Sequence, residues 1–465
     1  MCGVIGVSNL PDASRAAYLG LYALQHRGQE SAGIVTVDDD GTPHAVRGMG
    51  LVGDIFREGD FRALEGSVAV GHTRYSTAGS SVLANAQPCL ADIQGGPLAL
   101  AHNGNLTNAM TIKQELVSQG AIFQTSSDSE VIVHLIARSR APTIEGRIRE
   151  ALSRVEGAFS LVIAVGRTLY CAVDRHGFRP LALGRLGQGV VAASETCALD
   201  LVGATLEREL APGDFVEIDA GMVRDLAPIG RAPIAQRCVF ELVYFSRPDS
   251  TVFGESVDRV RRDLGRQLAI EHPAPGADVV FSVPDSANMM ALGYADQSGL
   301  KLEHGLIRNH YIGRTFINPT QALRVAKVKI KFNPVRHVIE GRSVVVVDDS
   351  LVRGTTSKGL VAMIRAAGAR EVHLRLGSPP ITGPCHYGID TPTRSELIAA
   401  NHSLAEIRDY LGVDSLGYLS LDGMIKAGGA RNSFCHACFS GHYLVDVADE
   451  LVQLGRPQTL AGSTA

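Results

Sequence analysis

The stretch VVVVDDSLVRGTTS at residues 344–357 constrains the fold of this chain more than any other part of the sequence. Its run of four valines predicts a strand, residues 357–367 predict a helix with one apolar face, and Gly368 marks the end of that helix. Alternating apolar residues at 372–376 predict the next strand. Strand, helix and strand in this order form the crossover unit of a parallel sheet, which we expect from about residue 236 onward.

The pattern before that point is different. Residues 2 to about 230 show short alternating strands with glycine turns, for example at 67–71, 97–101 and 159–165, and helical stretches near 16–24 and from 127 onward. The segment 227–235 contains two prolines and a glycine and reads as a linker. We therefore predict a layered α+β domain, a β-sandwich with helices, over residues 2–232, followed by an α/β parallel-sheet domain over residues 233–465.

Composition narrows the class of protein. Of the 465 residues 45% are hydrophobic and 20% are charged, with a net charge of −4, which favours a globular chain over a disordered one or a general nucleic-acid binder. No apolar run approaches the roughly 20 residues of a membrane span, and the start MCGVIGV does not resemble a secretory signal. We expect a cytoplasmic protein, in which eight cysteines favour metal ligation or catalysis over disulfides.

Cys2 follows the initiator Met1 and precedes Gly3. Removal of Met1 would give Cys2 a free α-amine, which titrates near pH ~8 and can accept the thiol proton. One residue would then supply both nucleophile and general base, as in hydrolases with a terminal nucleophile. An early cysteine alone is weak evidence, so the interpretation depends on the rest of the chain.

Four polar clusters lie downstream of Cys2, namely LQHRGQES, GHTRYST, HNGNLTN and TSSDSE. In the third, Asn103 and Gly104 can present a side-chain amide and a backbone N–H to an oxyanion. Arg74 in the second can bind an α-carboxylate, and Asp128 in the fourth an α-ammonium. Each cluster alone could equally be a turn, a surface ion pair or a helix cap, but all four together indicate an amide hydrolase that recognises a free amino acid.

Residues 344–357 contain a second set of polar groups that could bind a ligand. Asp348 and Asp349 would lie at the carboxyl end of a parallel strand, where ligands bind, and suit ribose hydroxyls or a magnesium ion. The loop after them offers hydroxyls and backbone N–H groups at a helix N-terminus, which suits a phosphate monoester. Simple strand and helix capping is the alternative interpretation.

The first half resembles the N-terminal-nucleophile glutamine amidotransferases over essentially its whole length. The resemblance implies that Cys2 attacks the glutamine side-chain amide and that Asn103 and Gly104 form the oxyanion hole. It also implies that Arg74 and Asp128 bind the two ends of glutamine, and that Arg27 belongs to the loop of the glutamine site.

The string at 344–357 resembles the phosphoribosyl-pyrophosphate (PRPP) loop of the type I phosphoribosyltransferases. The resemblance implies a magnesium site at Ser286, Asp348 and Asp349. It implies that the basic stretch 313–336 closes over PRPP and that PRPP contacts Asp348, Asp349, Ser350, Arg353, Gly354, Thr355, Thr356, Ser357 and Arg314. Asn288, Met289, Met290 and His310 depart from the residues expected there.

The two halves together resemble the glutamine PRPP amidotransferases. That resemblance implies conversion of PRPP, with Mg²⁺ and glutamine, to 5-phosphoribosylamine, glutamate and pyrophosphate, the first committed step of purine biosynthesis. It also implies inhibition by purine nucleotides and a homotetramer. The rivals are a glutaminase that makes an amino sugar, which the PRPP-type string disfavours, and a PRPP-sensing regulator, for which no nucleic-acid-binding segment is present.

Cys435 and Cys438 form a C-x-x-C pair, which by itself could bind zinc, act as a redox pair or do nothing. One branch of the amidotransferase family carries a [4Fe–4S] cluster, and resemblance to that iron–sulfur branch matches the four ligands to Cys238, Cys385, Cys435 and Cys438. We predict that the cluster pins the C-terminal helices. Cys89, Cys171 and Cys197 are most simply small buried residues.

Overall fold

A computed structural model of the chain describes residues 1–75, 79–309, 330–428 and 433–445. The first half consists of two antiparallel sheets with helices on their outer faces. Its strands are β1 (Gly3–Ser8), β2 (Ser31–Val37), β3 (Pro43–Met49), β4 (Val68–Arg74), β5 (Cys89–Ile93), β6 (Gly96–Leu106), β7 (Gly157–Val165), β8 (Thr168–Val173), β9 (Ala182–Leu186), β10 (Gly189–Ala193), β11 (Thr205–Glu209), β12 (Phe215–Asp219) and β13 (Met222–Asp225). Its helices are α1 (Ala13–Ala23), α2 (Val52–Ile55), α3 (Asp60–Ala63), α4 (Ala109–Ser118), α5 (Ser129–Arg138), α6 (Ile144–Arg154) and α7 (Thr196–Val202).

The two sheets have the strand orders β11-β9-β10-β1-β4-β2-β3 and β13-β12-β8-β7-β6-β5. Side chains alternate along each strand, so Val4 of β1 joins the apolar layer between the sheets while Ile5 faces α1 and α7. Helices α4, α5 and α6 cover the outer face of the second sheet. Strand β1 lies in the middle of its sheet, between β10 and β4, and this places Cys2 at the end of a fully paired strand.

The second half is built on a parallel sheet. Its strands are β14 (Arg237–Cys238), β15 (Thr251–Val252), β16 (Glu255–Ser256), β17 (Val279–Ser282), β18 (Lys301–Leu302), β19 (Leu306–Arg308), β20 (Phe332–Pro334), β21 (Ser343–Asp348), β22 (Glu371–Leu376), β23 (Ser415–Tyr418) and β24 (Phe434–Cys435). Its helices are α8 (Val257–Glu271), α9 (Asn288–Ser298), α10 (Arg336–Ile339), α11 (Thr355–Ala366), α12 (Ile398–Asn401), α13 (Leu404–Leu411), α14 (Leu421–Ala427) and α15 (Ala437–Ser440).

Five of these strands pair in the order β18-β17-β21-β22-β23, all parallel. The valines of β21 divide between the two faces: Val345 and Val347 pack toward α8 and α9, and Val344 and Val346 toward α11. Burial on both faces explains the unbroken apolar run of this strand. Helix α11 begins at Thr355, two residues before the predicted start, because Gly354 adopts a positive φ of 75° and turns the loop directly into the helix.

Within the described residues, no helix has the length and apolar character needed to cross a membrane.

Candidate active site

Cys2 lies directly before β1 and is 8% exposed. Its backbone N–H donates a hydrogen bond to Asn103 Oδ1 at 3.1 Å, and its thiol donates to the carbonyl oxygen of Tyr75, with Sγ 3.6 Å from that oxygen. The backbone nitrogen of Cys2 is thereby held against β6, which contains Asn103. Tyr75 directly follows β4, and β4 pairs with β1, the strand that begins after Cys2. The thiol therefore contacts the end of the neighbouring strand in the same sheet.

Asn103 and Gly104 lie in β6, opposite Ser160 and Phe159 of β7. The Nδ2 of Asn103 is buried and has no hydrogen-bond partner in the part of the chain that the structure describes. Gly104 has a φ of 155°, and a Cβ there would lie 2.0 Å from the carbonyl oxygen of Ala158, so only glycine fits. A buried donor without a partner costs free energy unless a ligand or a reaction intermediate pairs with it.

Arg74 ends β4 and is buried, with its guanidinium donating to the carbonyl oxygen of Ser80 at 3.0 Å. Asp128 lies at the N-terminus of α5, and its carboxylate accepts a 3.0 Å hydrogen bond from the backbone N–H of Leu106 at the end of β6. The side chain of Asp128 makes no capping hydrogen bond to its own helix. Asp128 therefore lies beside the end of β6, the strand that carries Asn103, and Arg74 lies at the end of β4, which pairs with β1.

Arg27 has no exposed surface. Its Nε donates to the carbonyl oxygen of Cys2 at 3.0 Å, and its two terminal nitrogens contact the carboxylates of Glu195 and Glu241. Burial alone would raise the pKa of Glu241, but Arg27 outweighs it and the pKa lies below its ordinary value. Arg27 lies in the expected loop, and its guanidinium bonds the carbonyl of Cys2 and the two buried carboxylates.

Asp348 and Asp349 lie at the carboxyl end of β21, in the parallel sheet, and are 8% and 5% exposed. Burial, and then the neighbouring charge of Asp349, raises the pKa of Asp348 well above its ordinary value, and burial likewise raises the pKa of Asp349. The hydroxyl of Ser350 donates to Asp349 at 2.6 Å, and the side chain of Ser286 also bonds it. Two adjacent buried carboxylates with hydroxyl neighbours are oxygen ligands of the kind that a hard divalent cation binds.

The loop after Asp349 leads into α11, a helix of 12 residues. Arg353 pairs with Glu396 at 3.1 Å, and a Cβ on Gly354 would lie 2.8 Å from the Cδ1 of Ile398. The loop is therefore supported by the segment that contains α12. A cavity of about 550 Å³ opens beside it and is lined by Asp348, Asp349, Ser350, Arg353, Gly354, Thr355, Thr356 and Ser357, together with Ser286.

The same cavity reaches the first half of the chain. Its lining includes His26, Tyr75, whose carbonyl oxygen accepts from the Cys2 thiol, and the aromatic residues Phe240, Tyr244 and Phe245. We call this space the inter-site cavity, because it joins the surroundings of Cys2 to the loop at 348–357. Its lining combines these aromatic rings with the polar groups of the loop at 348–357.

Cys238, Cys385, Cys435 and Cys438, which we call the four-thiol pocket, lie together. Cys238 of β14 is directly opposite Cys435 of β24. Burial, and then the charges of the other three cysteines, raises the pKa of the Cys438 thiol well above its ordinary value. The sulfur of Cys385 accepts backbone hydrogen bonds from Tyr387 and Ile389 at 3.4 and 3.5 Å. Burial raises the pKa of Cys238 to about 11. Four cysteine sulfurs held close together match the ligand chemistry of an iron–sulfur cluster, although among the described residues no group of three or more His, Cys, Asp and Glu side chains is arranged to hold a metal ion.

Arg314, His310 and most of the basic stretch 313–336 lie outside the described residues. Of the departures from the expected residues, Asn288, Met289 and Met290 form the first turn of α9. Sequence reasoning missed Glu195 and Glu241, which neutralise Arg27, and Tyr75, whose carbonyl contacts the thiol. Tyr75 and His26 stood inside the polar clusters, whereas nothing near Glu195 indicated its partner.

Comparison with known proteins agrees with this geometry. A family described as a glutamine amidotransferase domain matches residues 72–201. Amidophosphoribosyltransferase 2, chloroplastic, of Arabidopsis thaliana is 50% identical over 98% of this chain and 81% of its own length. Amidophosphoribosyltransferase of Bacillus subtilis is 48% identical over 97% of this chain and 95% of its own.

A solved structure of glutamine PRPP amidotransferase from B. subtilis, complexed with ADP and GMP, superposes with a TM-score of 0.91 at 46% identity, covering 97% of this chain and 98% of that one. The predicted fold class, a layered nucleophile-hydrolase sandwich followed by a parallel phosphoribosyltransferase sheet, is confirmed by this match. The chain therefore belongs to the amidophosphoribosyltransferase family, the glutamine-dependent transferases that convert PRPP to 5-phosphoribosylamine in the first committed step of de novo purine biosynthesis.

Proposed function

We propose that this reaction is divided between a glutaminase domain over residues 2–232 and a phosphoribosyltransferase domain over residues 233–465. The observation that carries this proposal is the inter-site cavity, which is lined both by His26 and Tyr75 of the first half and by Asp348 and Asp349 of the second. Ammonia released beside Cys2 would cross this space without entering bulk water.

In the first step the thiol of Cys2 attacks the side-chain amide carbon of glutamine. The α-amine, exposed once Met1 is removed, takes the thiol proton and returns a proton to the departing ammonia. The buried Nδ2 of Asn103, together with the backbone of Gly104, would stabilise the oxyanion. Water then hydrolyses the thioester to glutamate.

Glutamine is held at both ends in this proposal. Arg74 would bind its α-carboxylate and Asp128 its α-ammonium, since Arg74 ends the strand that pairs with β1 and Asp128 bonds the end of β6. For Arg27 we propose a positioning role, because its Nε supports the carbonyl of Cys2 from a fully buried position.

In the second step the lone pair of ammonia attacks C1 of PRPP, and pyrophosphate leaves with the electrons of the C1–O bond. The hydroxyls and N–H groups of Ser350 and the loop from Arg353 to Ser357 would hold the 5-phosphate at the N-terminus of α11. Arg314 would contact PRPP by family resemblance alone.

One Mg²⁺ per subunit would be held by Asp348, Asp349 and Ser286, and when bound it neutralises charge on the pyrophosphate. One [4Fe–4S] cluster per subunit would occupy the four-thiol pocket and fasten the C-terminal segments to each other. As in the B. subtilis structure complexed with ADP and GMP, purine nucleotides would act on this enzyme. A cytoplasmic homotetramer completes the proposal.

The decisive experiment measures pyrophosphate release from Mg²⁺ and PRPP by anaerobically purified protein, with glutamine or ammonium as the nitrogen source. We expect release with both. Cys2→Ala should abolish glutamine-dependent release and retain ammonium-dependent release. Glutamine-dependent release by Cys2→Ala at the native rate would contradict the terminal-nucleophile mechanism.

The metal assignment has its own measurement. Anaerobic protein should be brown, and elemental analysis should find about four irons per chain. Cys385→Ser should lose iron and unfold at a lower temperature, whereas Cys171→Ser, outside the four-thiol pocket, should keep its iron. Colourless protein with one zinc per chain would contradict the cluster assignment.

A further inference from the structure

Residues 385–389 of the second half contact β6, the strand of the first half that contains Asn103 and Gly104. They lie between β22 and α12. Asn105, the residue after Gly104, donates from Nδ2 to the carbonyl oxygen of His386 at 2.9 Å. Asn105 is only 6% exposed, so this contact between the two halves is shielded from solvent.

Gly388 approaches Gly104 so closely that no side chain fits between them. A Cβ on Gly388 would lie 2.9 Å from the carbonyl carbon of Gly104 and 3.1 Å from its Cα and its carbonyl oxygen. All three are main-chain atoms, so no side-chain rotation could make room. Gly388 also has a φ of 104°, a conformation that other residues rarely adopt. Its contact and its backbone conformation therefore both require glycine.

The residues on both sides of Gly388 are anchored. The carbonyl oxygen of Tyr387 accepts a 2.9 Å hydrogen bond from Nε of the buried Arg179. The backbone N–H groups of Tyr387 and Ile389 both donate to the sulfur of Cys385, at 3.4 and 3.5 Å. Because these bonds fix the residues before and after Gly388, the segment cannot move away from β6 without breaking them.

Gly104 is also fixed by β7. It pairs with Phe159, and a Cβ on Gly104 would lie 2.0 Å from the carbonyl oxygen of Ala158. The Cα that Gly388 approaches is bonded to the nitrogen of Gly104, whose N–H is the backbone donor of the proposed oxyanion hole. A shift of that Cα therefore moves the donor. Misplacement of a group at the reacting centre by about 1 Å can lower a rate by about 10²-fold.

We propose that Gly388 is a positioning residue for glutamine hydrolysis, through which the second half of the chain sets the geometry of the oxyanion hole. Gly388 has no side chain and supplies no chemical group. Its contact fixes the place of the Gly104 backbone, and the distance from such a donor to the oxyanion decides how strongly it stabilises the charge. This role rests on the proposed function, in which Gly104 is one of the two oxyanion donors.

The test is Gly388→Ala in the full-length protein, purified anaerobically. We expect the kcat of glutamine hydrolysis to fall by about 10–100-fold. The KM for glutamine should stay native, because the weakened interaction is made only in the transition state. Pyrophosphate release with ammonium should also stay native, because that reaction does not use the oxyanion hole.

The matched control is Gly441→Ala, at the end of α15. Gly441 also has a positive φ, of 75°, but a Cβ there would have open space around it among the described residues. This variant carries a similar backbone strain without the contact to Gly104. Both activities should therefore stay native.

Asn105→Ala tests the same contact without adding volume, in case Gly388→Ala does not fold. It removes the donor to His386, and we expect the kcat of glutamine hydrolysis to fall by about three- to tenfold with a native KM. Alkylation of Cys2 by iodoacetamide should keep its native rate in both variants, because displacement of iodide by the thiol develops no oxyanion.

A native kcat in Gly388→Ala, or in Asn105→Ala where Gly388→Ala does not fold, would overturn the proposal and leave the proposed function standing. Parallel loss of both activities, of Cys2 alkylation and of melting temperature would also overturn it, since that pattern indicates a structural role. Native protein that formed no glutamate from glutamine would overturn the proposed function, and this role with it.

Discussion

Asn103 uses the two ends of its amide differently. Its oxygen accepts the backbone N–H of Cys2, and its Nδ2 is buried without a partner among the described residues. Leaving such a donor unpaired costs about 1–3 kcal/mol, a cost that the oxyanion of the proposed mechanism would recover. We therefore predict that Asn103→Ala lowers the kcat of glutamine hydrolysis by about 10²–10³-fold and leaves ammonium-dependent pyrophosphate release near native.

The matched control is Asn108→Ala. Asn108 lies in the same polar cluster, but its side chain bonds Arg154 and Glu156 at the surface. Both activities should stay near native in this variant. If Asn103→Ala hydrolysed glutamine with the native kcat, the prediction that Asn103 stabilises the oxyanion would be wrong.

At the scale of elements, the carboxyl end of β21 carries two adjacent buried carboxylates, Asp348 and Asp349. The pKa of Asp348 is higher in the folded protein than in the unfolded chain, so the folded protein binds the proton of this carboxyl more tightly. The contribution of Asp348 to stability is therefore greatest at low pH and is lost as the pH rises from the unfolded value through the folded one. Asp348→Asn replaces the titrating carboxyl with an amide, so the variant does not lose this stability as the pH rises.

We predict that the urea midpoint of Asp348→Asn, measured without Mg²⁺, moves upward relative to native protein as the pH rises from about 4 to about 8. The exposed Asp296→Asn serves as the control and should track native protein at every pH. A difference between Asp348→Asn and native protein that stays constant with pH would contradict the raised pKa.

The elements differ in how far the sequence predicts them. Strand β21 and helix α11 were predicted to within two residues, because an apolar run and a helical stripe depend on neighbours close in the chain. The start of α11 depends on the φ of Gly354, which the residue type permits but does not dictate. Glu195 and Glu241 were not predicted, because they meet Arg27 across 168 and 214 residues of sequence. Cys2, Asn103 and the loop at 348–357 carried local motifs, and these were predicted.

Across the whole molecule, Arg27 joins the two halves. Its guanidinium lies between Glu195 of the first half and Glu241 of the second, and all three side chains have no exposed surface. Removing one partner of a buried ion pair leaves charge without compensation and costs about 3–5 kcal/mol. We predict that Arg27→Met lowers the urea midpoint substantially and reduces glutaminase activity, since the carbonyl of Cys2 also loses its donor.

Arg15→Met is the matched control for Arg27→Met. Arg15 pairs with Glu58 at the surface, where solvent screens the interaction, so no measurable shift of the midpoint is expected. Equal shifts in the two variants would contradict the role of Arg27 as a buried link.

Met1 has no exposed surface and packs in the core of the second half, with Arg179 against its sulfur. Burial lowers the pKa of its amine to about 6. An aminopeptidase must draw the end of a chain into its own active site, so in the folded protein Met1 is beyond its reach. In the proposed mechanism, removal of Met1 would therefore have to precede folding of the first half as the chain emerges from the ribosome. Each molecule that folds first would stay unable to use glutamine while still accepting ammonium, so the ratio of the two activities in a preparation would record the share of molecules that folded before Met1 was removed.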